Sequence, residues 1–309
     1  MNEQLKKLKD TKEQRIFNAL QNRLDYMKEN YPSLNIIAIY LQGSQNYDLD
    51  DEYSDIDAIA ICLPSLDDLI TKNGKESFTY IMNDNSHVEV KDIRLLQTLL
   101  YKQHPKYLEL LETKYALYVT AEGKLLKNAI NKYKNEYLET SLQLVRAMIH
   151  MFNNKLDLSY KKRQGNINEF QKFKLDVKSL SHFYRIGYML EELINGKKIN
   201  ELYILSKKQR EFILNIKRGK HIPSKQERDN FQEYINKLVD NYIKGNEKLN
   251  YSSISKETTD NLKKELNNII KYTIYHEFVE TFNDIYYPNS NIITVSNALK
   301  QTQEKLLKK

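Results

Sequence analysis

The chain has 309 residues, of which 40% are apolar, enough for ordinary cores and, from length alone, a prior of two domains. It carries 48 Lys and Arg against 41 Asp and Glu, a net charge of +7 that permits a polyanionic partner without requiring one. No apolar run reaches the length of a bilayer span, and the single cysteine, Cys62, excludes an internal disulfide or a cysteine-rich zinc site. Residues 1–15 are charged throughout and lack an apolar signal core, so a soluble, cytoplasmic protein without membrane contact is expected. Lys, Asn, Ile and Tyr abound while Trp is absent; this bias fits AT-rich coding, so the 23 tyrosines are not read as base-stacking residues.

Ile16, Leu20, Leu24 and Met27 recur at helical spacing and predict an amphipathic helix over 11–30, ended by Tyr31-Pro32-Ser33. The run LNIIAIYL over 34–41 predicts a buried strand, broken by Gly43-Ser44. A second strand is expected over 54–63 and a short helix from Pro64-Ser65 to about Lys72. Two short strands, 77–82 and 88–90, flank an Asn-Asp-Asn-Ser turn. Helical patterns follow from Leu95, interrupted at His104-Pro105, with 117–123 (LYVTAEG) as a break. Beyond Gly123 the chain reads as almost wholly helical, over 125–155, 169–195, 206–216, 224–243 and 258–284. The predicted architecture is α+β: a mixed sheet with flanking helices in residues 1–124, then an all-α domain over 125–309.

The chemistry concentrates in LQGSQNYDLDDEYSDIDAIAI, residues 41–61. In a strand, residues i and i+2 share a face, so Asp55 and Asp57 project together while Ile56 and Ala58 point into the core. Two adjacent carboxylates repel unless a cation lies between them, and Mg²⁺ is typically bound by one or two carboxylates plus substrate phosphates. Glu89, between Val88 and Val90, offers a third acid on a later strand, with Asp92 as its rival. Gly43 lets the backbone turn tightly, and the amides that follow it, with the Ser44 hydroxyl, can cradle phosphate oxygens. This is a geometry for a metal-bound triphosphate. Asp55 and Asp57 would share the ion that holds the phosphates, and Asp57 with Glu89 the ion that activates an acceptor hydroxyl.

Gly43, Ser44, Asp55, Asp57 and Glu89, at this spacing, resemble the DNA polymerase β-type nucleotidyltransferase superfamily. More narrowly, Gly43, Ser44, Tyr47, Ser54, Asp55 and Asp57 resemble its branch associated with bacterial and phage RNA repair. The segments VEVKDIRLLQTLLYKQHPKYLELLE and DVKSLSHFYRIGYMLEELINGK extend the likeness, which fades beyond Pro223. Two features depart from it: Tyr47 is followed by Asp48 rather than Gly, and 48–52 (DLDDE) is unusually acidic. The resemblance implies two Mg²⁺ or Mn²⁺ ions, an NTP substrate and a helical domain closing over the site. It also points to an RNA 3′ end, a tRNA among the candidates, as acceptor.

Lys178, His182 and Arg185 fall at i, i+4 and i+7, on one helix face. The plain reading is a solvated basic stripe; the resemblance implies phosphate or acceptor contacts instead. Ser44 otherwise reads as a helix cap and Ser54 as a residue ordering the strand start, with nucleotide contact as the functional reading of both. Lys161-Lys162-Arg163 and Lys217-Arg218-Gly219-Lys220 read as solvent-exposed charge runs. No histidine has a partner at metal-ligand spacing. Two other functions compete with nucleotidyl transfer to RNA. One is adenylyl transfer to a partner protein or to a small molecule such as an aminoglycoside. The other is a non-catalytic nucleotide- or RNA-binding module.

Overall fold

A computed structural model describes residues 3–50, 54–71, 77–82, 84, 86–246 and 254–286. Helix α1 (Glu3–Asn30) leads into a five-stranded mixed sheet. In chain order the sheet elements are β1 (Asn35–Gln42), β2 (Asp57–Leu63), α2 (Leu66–Thr71), β3 (Ser77–Ile81) and β4 (His87–Asp92). Then follow α3 (Ile93–Tyr101), α4 (Pro105–Glu112) and β5 (Ala116–Tyr118). The strand order is β3-β4-β2-β1-β5. Only the β2–β4 pair is parallel; the other neighbours run antiparallel.

β1 is buried on both faces, which is why it reads as a continuous apolar run rather than an alternating one. Ile36, Ile39 and Leu41 pack with Ile16, Leu20, Leu24 and Met27 of α1. A register shift between Ile36 and Ala38 turns Ile37 and Ala38 together onto the opposite face. That face, with Ile59 and Ile61 of β2, meets the helices.

The helical part comprises α5 (Ala121–Tyr137), α6 (Leu142–Ser159), α7 (Ile167–Phe173), α8 (Val177–Ile194), α9 (Lys207–Lys217), α10 (Lys225–Gly245) and α11 (Lys256–Tyr286). Phe152 of α6 stacks on Phe183 of α8, with ring centroids 4.3 Å apart. One apolar core runs without interruption from Ile59 through Leu108 and Leu126 to Leu190, Val239 and Leu266. It therefore crosses the predicted boundary at residue 124.

Three sequence expectations change. The helices predicted over 125–155 and 169–195 are each two. Ser141 caps α6 by accepting from the Leu144 N–H at 3.0 Å, and Asp176 caps α8 by accepting from Ser179 N–H at 3.0 Å. The break predicted at 117–123 overlaps the end of β5 (Ala116–Tyr118), which pairs with β1, and the first turn of α5, which begins at Ala121. The strand predicted from Ser54 begins at Asp57, so Asp55 lies in the segment before it and not within the ladder.

Candidate functional site

At the carboxyl end of β1 the chain enters a 3₁₀ turn, Ser44–Tyr47, through Gly43 at φ 101° and ψ −152°, a conformation L side chains rarely adopt. The turn is anchored from below by Glu109 of α4. This buried carboxylate accepts hydrogen bonds from the Gly43 N–H at 3.0 Å, from Asn46 Nδ2 and from the Tyr47 hydroxyl at 2.6 Å. Burial raises the Glu109 carboxyl above its ordinary range, while Tyr47, Asn46 and Arg185 favour its ionised form. The Gly43 N–H is thus directed at Glu109, and Ser44 is the residue the turn presents forward.

A cleft of about 290 Å³ opens beside this turn. Gly43, Ser44, Ser54, Asp55 and Asp57 line one side, and Lys178, His182 and Arg185 of α8 face them from the other. The cleft therefore collects every predicted site residue except Glu89. Asp57, the first residue of β2, accepts from the His87 N–H at 2.9 Å. Asp55 is fixed from behind, its carbonyl accepting from Gln45 Nε2 at 2.6 Å, and its carboxylate lies 3.6 Å from Lys178 Nζ.

The α8 face is strongly cationic. Burial, then Arg185, Lys155, Lys178 and Lys217, hold His182 well below the usual imidazole range, so its ring is neutral at pH 7. The Arg185 guanidinium stacks on the Tyr47 ring at 4.0 Å, and its Nε is buried without a hydrogen-bond partner among the described residues. The apolar side of α8 (Leu180, Phe183, Leu190) is buried in the core, which leaves Lys178, His182 and Arg185 along the cleft, with Lys178 still exposed to solvent.

Glu89 shares the sheet face of Asp57, since its register partner is Ile59. Its carboxylate is engaged by Lys91 at 2.7 Å, by Lys106, and by the Tyr107 hydroxyl at 3.2 Å. Burial opposes its charge, but the two lysines outweigh it and lower its pKa. Asp92 lies elsewhere: it caps α3 by accepting from the Arg94 N–H at 2.8 Å and pairs with that guanidinium at 2.7 Å. Neither lines the cleft, and among the described residues no three His, Cys, Asp or Glu side chains are grouped to hold a metal ion. Asp55 and Asp57 alone do suit Mg²⁺, which takes one or two carboxylates when substrate phosphates supply further oxygens.

The sequence reading missed four residues. Lys217, read as part of an exposed run, instead lines the cleft and ties α9 to the segment between β1 and β2, donating to Leu49 O at 3.0 Å and Ser54 Oγ at 2.8 Å. A signal existed: Lys217 is four residues after buried Ile213, on the same helix face. Arg163 is likewise no free charge, because it pairs with the capping residue Asp176. Glu109 and Lys155 carried no local signal. The acidic stretch 48–52 is partly neutralised: Asp48 pairs with Lys12 and Arg210, and Asp50 with Lys12 and Arg15. Asp51 and Glu52 lie outside the described residues.

Fold and cleft together define a mixed α+β protein with a carboxylate pair facing a cationic helix. No protein-family model matches the chain, and no curated protein matches it. Among solved structures, a nucleotidyltransferase-like protein from Exiguobacterium sibiricum 255-15 is similar over 84% of this chain and 91% of that one, at 10% identity and a TM-score of 0.26. At that score the likeness says nothing of activity; the cleft has to carry it. No helix among the described residues is long and apolar enough to cross a membrane.

Proposed function

We propose that this protein is a metal-dependent nucleotidyltransferase, transferring a nucleoside monophosphate from an NTP to an acceptor hydroxyl, with an RNA 3′ end as acceptor and pyrophosphate released. The observation that carries this reading is the opposition, across one cleft, of Asp55, Asp57 and the Gly43-Ser44 turn to Lys178, Arg185 and Lys217. A triphosphate is the ligand class that calls for both halves, a carboxylate pair to share a cation and separate side-chain cations for the remaining charge.

Phosphoryl-type transfer needs positioning and charge neutralisation more than covalent chemistry. Lys178 and Lys217 supply point charges, and Arg185 a planar fork suited to bidentate phosphate binding. His182, kept neutral, can hydrogen-bond without adding to the local positive charge. Asp57 is held in one orientation by the His87 N–H, and Asp55 by the Gln45 clasp on its backbone. Mg²⁺ or Mn²⁺, bound by Asp55 and Asp57 with phosphate oxygens, would lower the pKa of the acceptor hydroxyl and neutralise the leaving pyrophosphate. Participation of Glu89 in a second ion site would require its release from Lys91 and Lys106. An acidic pocket for a cationic drug gains no support from Asp48 and Asp50, whose charges are already paired.

The test is incubation with each α-labelled NTP, Mg²⁺ or Mn²⁺ and total bacterial RNA, beside an Asp55→Asn/Asp57→Asn control. Label on RNA in the wild type only is the expected result. Label on protein would reassign the acceptor, and no label on any macromolecule would leave the non-catalytic reading standing.

A further inference from the structure

A second cavity, of about 350 Å³, adjoins the first and shares Gly43, Asp57, His182 and Arg185 with it. Its character differs. Met148 and Met151 of α6 and Met189 of α8 form an apolar wall, whereas Leu49 and Ile213 are the apolar side chains of the first cleft. Lys155 of α6 and Arg185 both line the cavity, and neither forms an ion pair among the described residues. Lys106, also present, is already paired with Glu89.

Asp57 and Glu109 also line this cavity, but Glu109 is taken up by Gly43, Asn46 and Tyr47 and neither acid forms an ion pair with Lys155 or Arg185, so the two part-buried cations repel each other and lose hydration, a cost that a bound anion offsets. Burial, then Arg185 and Arg163, lower the Lys155 pKa, which registers that cost. A methionine wall adds a polarizable surface for a planar ring. The combination of a phosphate seat and a wall for a base fits a nucleotide unit. It is not the base of the NTP alone, because a neutral base gives no reason to bury Lys155. The triphosphate already has Ser44, Lys178 and Lys217 in the first cleft, and Arg185, which lines both cavities, stands between the two phosphate groups.

We infer that the second cavity holds the terminal nucleotide of the acceptor strand. Its phosphate lies against Lys155 and Arg185, its base lies against Met148, Met151 and Met189, and its ribose hydroxyl points to Asp57, the carboxylate common to both cavities. This rests on the nucleotidyl-transfer reading and makes Lys155 an acceptor-binding residue.

The test measures binding of a fluorescein-labelled RNA trinucleotide to the full chain, saturated with an α,β-methylene NTP analogue and Mg²⁺. Wild type, Lys155→Gln and Met151→Ala are compared, with melting curves confirming that each is folded. Lys155→Gln is expected to weaken RNA binding about tenfold and reduce its salt slope by about one, with NTP-analogue affinity unchanged. Met151→Ala should weaken RNA binding without altering the salt slope. An unchanged salt slope in Lys155→Gln, a loss confined to the NTP analogue, or failure of wild type to bind RNA would each overturn the inference. A chain that binds the trinucleotide through Lys155 but no NTP would instead sink the nucleotidyl-transfer reading while keeping the phosphate seat.

Discussion

Replacing Glu109 with alanine should both destabilise the fold and disable the cleft, although Glu109 touches no substrate in this account. The carboxylate is the acceptor for three donors: the Gly43 amide, the Asn46 side chain and the Tyr47 hydroxyl. Each buried donor left without an acceptor costs ~1 kcal/mol or more, so the substitution should cost at least about 3 kcal/mol. For a chain of this size that is a fall in Tm of roughly 6 °C. Glu109→Gln should cost far less. Its amide oxygen can accept from Gly43 and Asn46, while the Tyr47 hydroxyl rotates to accept from the new NH₂. A pH series sharpens the test. Burial raises the folded-state pKa of Glu109, so its contribution is full below the unfolded value of ~4.3 and declines as pH rises through the folded value. The stability gap between wild type and Glu109→Gln should therefore narrow with rising pH. Thermal melts and NTP binding of both variants are the assay. An alanine variant that melts within a degree of wild type and binds NTP normally would refute the claim that Glu109 holds the turn.

Gly43→Ala meets no steric obstacle, its new Cβ lying 4.0 Å from the nearest side-chain atom, yet the backbone at φ 101° should cost about 1–3 kcal/mol. It should abolish NTP binding by re-aiming Ser44; retained binding with a normal melt would contradict this. Gly123→Ala has the opposite cause: its Cβ would sit 2.1 Å from Ile37 O, forcing α5 off β1 at about 1–3 kcal/mol in a melt. His182 has a depressed folded-state pKa, so below ~6.5 the unfolded chain binds a proton that the folded one refuses. Stability should fall as pH drops below that value, and His182→Gln should flatten the fall between pH 7.5 and 5; equal slopes would show that His182 does not govern it.

Much of the site was legible because it is local in sequence. Gly43, Ser44, Asp55 and Asp57 lie within one strand-turn-strand unit, and the helical spacing of Lys178, His182 and Arg185 put them on one face. The apolar run of β1 and the period of α1 were equally plain. What stayed hidden depends on distant partners. Asp55 sits outside the ladder because a side chain ten residues upstream clasps its carbonyl. Glu109 in LELLE looks like any helical acid until the fold brings Gly43, 66 residues earlier, onto it. Lys217 reads as an exposed charge until its partners Leu49 and Ser54 arrive from the sheet. The helix breaks before α6 and α8 carry no Gly or Pro, only the caps Ser141 and Asp176 inside otherwise periodic sequence. Three-residue β5 is too short for a pattern.

The central claim is that Asp55 and Asp57 bind a metal-bound triphosphate against the α8 cations. Equilibrium dialysis of the full chain with an NTP, with and without Mg²⁺, tests it most directly, beside Asp55→Asn/Asp57→Asn. The account predicts one NTP per chain, an affinity that depends on Mg²⁺, and loss of that dependence in the double variant. Equal affinity and equal Mg²⁺ dependence in wild type and double variant would contradict it.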